Sequence, residues 1–244
     1  MTTPSYSELI ATIRREGEAI VTAGTAVELG LAVPTCGDWS IRDLLAHVGS
    51  VYRRATTAVA DRATAEVAWT PPPTDLDDAG AYLSESLDEL VHALSDSEPD
   101  TPAWNWSGGD QTARFWARRM AHESAVHRYD AQRAQGLAQP IDADLAADGM
   151  DELVDLLLPR IIARDEPKLP DGTFHFVATD DGEWIVTTGE GGVERQQTAR
   201  HVDVTVTGPS SAVLLACYGR VKWASLDTSG DESLLGDWSR AFRF

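Results

Sequence analysis

Residues 121–131 read AHESAVHRYDA. The string comes close to the metalloprotease pattern H-E-x-x-H, but one residue too many separates its histidines. On a helix of about 3.6 residues per turn, positions five apart point roughly 140° away from each other, while positions four apart differ by only about 40°. His122 and His127 therefore do not share a face, whereas Glu123 and His127 do. Trp116 and Met120 fall on that same face one and two turns earlier, which turns the Glu/His pair toward an apolar interior. A carboxylate there needs a partner: either a metal ion, for which carboxylate oxygen and imidazole nitrogen are both good donors, or Arg119, one turn before Glu123.

The surrounding chain supplies the bundle that this face would line. Ser5 and Glu8 have the spacing of a capping box and open a first helix with Leu9, Ile13, Ile20 and Val21 at helical intervals. Ser40 and Asp43 repeat the signature before a second helix carrying Leu44, Val48 and Val51. A third helix follows TPPPTD, with Leu83, Leu87, Leu90 and Leu94 on one face, and the fourth runs through the opening stretch to a stop at Gly136. Residues 142–165 read as a fifth helix bent at Pro159.

Beyond the linker EPKLPDGT the periodicity changes from helical to alternating. TFHFVAT and EWIVTTG flank the turn DDG at 180–182, and HVDVTVTG alternates with valines on one face before two further helical stretches. The expected fold class is α+β, with a helical bundle over residues 1–165 and a small α+β domain over 166–244.

Composition narrows the functions. Asp plus Glu number 39 against 20 Lys plus Arg, a formal charge of −19, so the field repels phosphate backbones and anionic lipid surfaces, and neither nucleic acid nor membrane is expected as a partner. Only Cys36 and Cys217 are present, the first residues show no basic start followed by an apolar run, and no stretch reaches the roughly eighteen apolar residues of a membrane span. The expectation is a cytoplasmic chain.

A catalytic metal site needs a third protein ligand. His92 lies among Glu85, Asp88, Glu89 and Asp96, opposite the leucine stripe, and reads as solvated. His47 lies on the core side of the second helix with Leu44, Val48 and Val51, where it could meet the Glu/His pair. His47, Glu123 and His127 are thus the candidate metal ligands; the alternative is a purely hydrogen-bonded polar network of the same three. His175 and His201 fall in strands and read as surface residues. Cys36, before the second helix, is open to three readings: a fourth ligand, a reactive thiol or a small packed side chain. Asp130, three residues after His127, could hold its other ring nitrogen or pair with Arg128.

These residues form a familiar pattern. DWSIRDLLAHV, with Trp39, Ser40 and His47, followed by HESAVHRYDA, with His122, Glu123, His127, Arg128, Tyr129 and Asp130, resembles the mycothiol-dependent maleylpyruvate isomerase family, whose N-terminal domain is a DinB-like four-helix bundle. The resemblance extends to the tail, where YGRVKWASLDTSGDESLLGDW is similar to the end of that family's sterol-carrier-like C-terminal domain.

The resemblance implies a divalent metal, Zn²⁺ or another, on His47, Glu123 and His127, and mycothiol as a thiol cosubstrate whose pKa the metal lowers. In such an isomerase the thiolate adds to a double bond, allows rotation and leaves; relatives use the activated thiol for S-transfer. Both reactions call for a cation facing the carboxylates of a small substrate, and Arg220 is the candidate for that catalytic role. A non-catalytic alternative remains, in which the metal is structural and the C-terminal domain holds an apolar ligand or partner.

Overall fold

The computed structural model describes residues 4–73, 76–180 and 182–242. Two compact units emerge, one formed by Pro4–Gln139 and one by the chain from Pro140 onward.

The first unit is a four-helix bundle of α1 (Tyr6–Thr25), α2 (Ile41–Ala60), α3 (Ala79–Ser95) and α4 (Ala113–Ala134). Both expected capping boxes form. The Ser5 hydroxyl accepts from the Glu8 amide and the Glu8 carboxylate from the Ser5 amide, and Ser40 and Asp43 do the same at the start of α2. Gly136, at φ 73°, ends α4, with the Leu137 amide reaching back to the Gln132 carbonyl. The leucine stripe of α3 is buried with Leu9, Ile13, Ile20, Leu44, Val48, Trp116 and Met120, and α1 packs chiefly on α4 while α2 packs on α3. On α2 the buried face continues through Tyr52, and Val51 is only half-buried.

Two polar ties fix α4 within this core. The Arg128 Nε donates to Glu16 Oε2 at 2.7 Å, and its other nitrogen reaches the Gln139 carbonyl and the Gln132 side chain, with both charges buried. Tyr52 Oη and Ser124 Oγ meet at 2.6 Å between α2 and α4. Burial pushes the Tyr52 phenol up, so it remains a neutral hydrogen-bonding group.

The second unit contains α5 (Ala143–Glu152) and α6 (Leu158–Asp165), separated by a π-helical turn over Leu153–Leu157. Where a bend at Pro159 is expected, the structure has this wide turn immediately before the proline, which has no N–H for the preceding turn. Five strands follow: β1 (Gly172–Ala178), β2 (Glu183–Gly189), β3 (Gly192–Gln196), β4 (Val204–Gly208) and β5 (Asp227–Gly230), in the order β3-β2-β1-β4-β5. β1 and β2 form the expected antiparallel hairpin, Asp181 of its turn lying outside the described residues, and β1 pairs with β4 in parallel. Helices α7 (Ser210–Cys217) and α8 (Ser233–Ala241) complete the unit. Alternate residues Phe174, Phe176, Trp184, Val186, Val204 and Val206 are buried, the two phenylalanines against Trp238 of α8.

The division between the units falls at residues 139 and 140, upstream of the boundary at 165 expected from the linker. The reason is what α5 and the π turn touch. Asp151 accepts from the Trp184 indole at 2.8 Å, Arg195 of β3 pairs with Asp151 at 2.7 Å and Asp155 at 2.9 Å, and Ser211 accepts from the Ile141 amide. Acidic side chains of this segment are therefore bonded to the sheet.

The buried Glu16–Arg128 pair gives a direct test of the bundle. Glu16→Gln keeps the shape but leaves a buried guanidinium without its counter-charge, and the expected cost is about 3 kcal/mol, measured as a fall in the urea unfolding midpoint at unchanged slope.

Candidate metal centre

His47 sits on the second turn of α2, downstream of the Ser40 cap, with a side chain 29% exposed. Glu123 and His127 sit one turn apart on α4, at 14% and 9%. His47 Nε2 lies 3.2 Å from Glu123 Oε1, and His127 Nε2 lies 3.3 Å from the same oxygen. One carboxylate oxygen thus faces two imidazole nitrogens contributed by two helices. The three donor atoms lie within 4.8 Å of one another, two nitrogens and one oxygen of the kind that zinc and its neighbours take.

The rest of the site orients these donors. Arg119, one turn before Glu123, pairs with its second oxygen Oε2, so the cation weighed in the sequence as a rival to a metal takes one oxygen and leaves the other facing the histidines. Asp130 Oδ2 lies 2.9 Å from His127 Nδ1, which fixes the ring with Nε2 toward Glu123. Asp130 thereby holds the other ring nitrogen of His127. Cys36 Sγ donates to the same Asp130 oxygen at 3.3 Å, so this half-buried thiol is more than a packing group. Cys36, His127 and Asp130 form a second close group of potential donors sharing His127 with the first.

The electrostatics follow from this arrangement. Burial alone would raise the Glu123 carboxyl, but Arg119 and His127 outweigh it, with hydrogen bonds from His127 and His47, and hold it well below the usual carboxylate range. Burial would lower His127, yet the Glu123 charge and the hydrogen bonds to Asp130, Cys36 and Glu123 raise it well above the usual imidazole range. The cluster without metal is an ion pair, and a divalent cation would take the place of the shared proton.

The other histidines belong to neither close donor group among the described residues. His122 is buried but contributes to neither donor group among the described residues. His92 is exposed beside Asp96, His175 pairs with Glu183, and His201 with Asp203. Arg220 belongs to the second unit, just after α7. It is 8% exposed, and its guanidinium donates to the Tyr218 carbonyl at 2.9 Å and stands over the Tyr218 ring.

Sequence reading named Trp39 only as part of the family pattern and passed over Trp69. Trp39 has its ring centroid 4.7 Å from that of His47 and 6.2 Å from that of His127, and Trp69 lies 6.4 Å from His47. Trp39 stands beside the Ser40 cap, whereas Trp69 lies in an irregular loop without periodicity.

Among solved structures, two of the mycothiol-dependent maleylpyruvate isomerase share this fold at 14% identity, covering 94% of this chain and 96% of the other in each case. The TM-score is 0.68 for a histidine-to-alanine mutant and 0.65 for the second structure. No curated protein matches the chain by sequence. Two family descriptions do: the mycothiol maleylpyruvate isomerase N-terminal domain matches residues 10–132, and the C-terminal domain of the same family matches residues 144–237. With both domains present in order along one chain, the protein belongs to the mycothiol maleylpyruvate isomerase family.

Proposed function

We propose that the protein is an enzyme in which His47, Glu123 and His127 hold a divalent metal, Zn²⁺ by preference, that activates a small-molecule thiol of the mycothiol class for isomerisation or S-transfer on a small carboxylate-bearing substrate. The observation that carries this reading is the convergence of two imidazole nitrogens on one carboxylate oxygen in a chain of this family. Three protein ligands leave coordination positions open, and a metal bound there would lower the pKa of a coordinated thiol, making the nucleophilic thiolate abundant near neutral pH.

The chain's own residues prepare that chemistry. Asp130 fixes the His127 ring through Nδ1, Arg119 fixes the Glu123 carboxylate through Oε2, and the Tyr52–Ser124 contact sets α2 against α4 beside them. A site of this type needs little rearrangement on loading, because its donors already face one point. The partly exposed His47 keeps the cluster reachable from solvent. Arg220, buried beside Tyr218, is proposed as the cation that would face the substrate carboxylates. The described helices include none long and apolar enough to cross a membrane.

Metal analysis tests the ligand set directly. Wild-type protein reconstituted with Zn²⁺ is expected to retain one equivalent per chain through desalting, and His47→Ala and Glu123→Gln to lose it while keeping the helical circular dichroism. His122→Ala should retain the metal; loss there would mean that the helical face has been misassigned. Asp130→Asn is expected to weaken zinc about 10- to 100-fold, measured by competition with a chromophoric chelator. Arg220→Ala should leave zinc content and thiol binding intact while lowering kcat/KM for a dicarboxylate substrate by about 100-fold. A metal-loaded protein that shows no thiolate absorbance with any thiol would favour a structural metal and a binding role instead.

A further inference from the structure

His127 has two ring nitrogens, and only one of them serves the ligand set proposed above. Nε2 faces Glu123 Oε1 at 3.3 Å, while Nδ1 faces Asp130 Oδ2 at 2.9 Å. The same Asp130 oxygen accepts from Cys36 Sγ at 3.3 Å, and the three donor atoms on this side of the ring lie within 4.8 Å of one another. Donors bound to one zinc-sized ion at about 2.0 to 2.3 Å stand about 3 to 4 Å apart in a tetrahedral arrangement. Sulfur, oxygen and nitrogen are already close to that spacing here.

Charge and donor type both distinguish this group from the first. A thiolate and a carboxylate together neutralise one divalent ion, which is what a buried position requires, and the Asp130 side chain is fully buried. His47, Glu123 and His127 supply one negative charge, and Arg119 already shares it. Sulfur also makes the second set softer than two nitrogens and an oxygen, so it favours thiophilic ions.

The loop that carries Cys36 is held in shape and open to solvent. The Cys36 amide donates to the Val33 carbonyl at 3.0 Å, the Cys36 carbonyl accepts from the Trp39 amide at 3.2 Å, and the Val33 amide donates to the Trp39 carbonyl at 2.8 Å. Gly37 and Asp38 are exposed, and Cys36 itself is half-buried. Thr35, one residue earlier, has a buried hydroxyl oxygen without a hydrogen-bond partner among the described residues, a group of the kind that a hydrated ion satisfies.

We propose that Cys36 Sγ, Asp130 Oδ2 and His127 Nδ1 form a second metal position, distinct from the His47–Glu123–His127 group, that takes a thiophilic divalent cation such as Cd²⁺ in preference to Zn²⁺. With the first position filled, bonds from the second ion to sulfur and nitrogen replace the S–H and Nδ1–H bonds, and both protons leave to solvent. The His127 ring then joins the two positions, one at each nitrogen. Because the second position uses the opposite nitrogen, it does not require the first to be occupied.

Cadmium titration of the full-length protein tests this, read by thiolate-to-cadmium charge-transfer absorption and by metal analysis after desalting. Zinc-loaded wild type is expected to gain the band and one equivalent of cadmium while keeping its zinc. Cys36→Ser should lose both the band and the cadmium, whereas Cys217→Ala, which removes the other thiol, should keep them. His47→Ala, which removes a ligand of the first position, should still give the band at one equivalent, so failure of the first ligand set and failure of the second are told apart. Absence of the band in wild type, or its survival in Cys36→Ser, would overturn the second position. Release of zinc in step with the band would show a single ion drawn between the two groups and would overturn it equally.

Discussion

Glu123 places a carboxylate where the bundle leaves little water, and such a charge is tolerated only if fixed positive or hydrogen-bonding groups surround it. The structure meets this requirement asymmetrically. Arg119 takes one oxygen, and two imidazoles from different helices take the other. Because Arg119 and His127 share the helix of Glu123, only His47 has to be brought from elsewhere, and the packing of α2 against α4 becomes the condition for the whole cluster. Parts of the bundle serve that condition, since the Ser40 capping box starts α2 in register and Tyr52 bonds Ser124 next to Glu123, while Glu16 of α1 separately holds Arg128 of α4 next to His127.

The parts of this arrangement that depend on neighbours in sequence are legible in the sequence. Capping boxes operate over three residues and helical faces over four, so Ser5, Ser40, the leucines of α3 and the Glu123–His127 pair can be found by spacing alone. His47 is reached by a weaker step, its position among apolar residues, with the family pattern choosing between a core histidine and a ligand. The contact of Cys36 with Asp130 joins residues 94 positions apart in two elements, and no local pattern encodes it. Trp69 is further out of reach, since it lies in an irregular loop between α2 and α3 that carries no periodicity.

The earlier unit boundary has the same kind of cause. A loop rich in proline and charge reads as a linker, and residues 142–165 before it read as a fifth helix of the first domain. The structure instead gives Asp151 an indole N–H and a guanidinium, and gives Asp155 the same guanidinium, all from the sheet. Charge pattern marks a face as polar, but whether water or Arg195 satisfies it is decided by tertiary packing. The family domains, which break between residues 132 and 144, divide the chain in the same region.

Seen from Glu123, the extra residue in HESAVH is a matter of geometry. A spacing of four between histidines would put both imidazoles on one face and leave the intervening glutamate free to act as a base. A spacing of five removes His122 from the cluster and puts the glutamate itself in line with His127, so the carboxylate faces that imidazole and the second imidazole comes from α2. Such a site spans two helices instead of one. Its integrity then depends on the packing between them, and the buried Tyr52–Ser124 tie joins those same two helices one residue from Glu123.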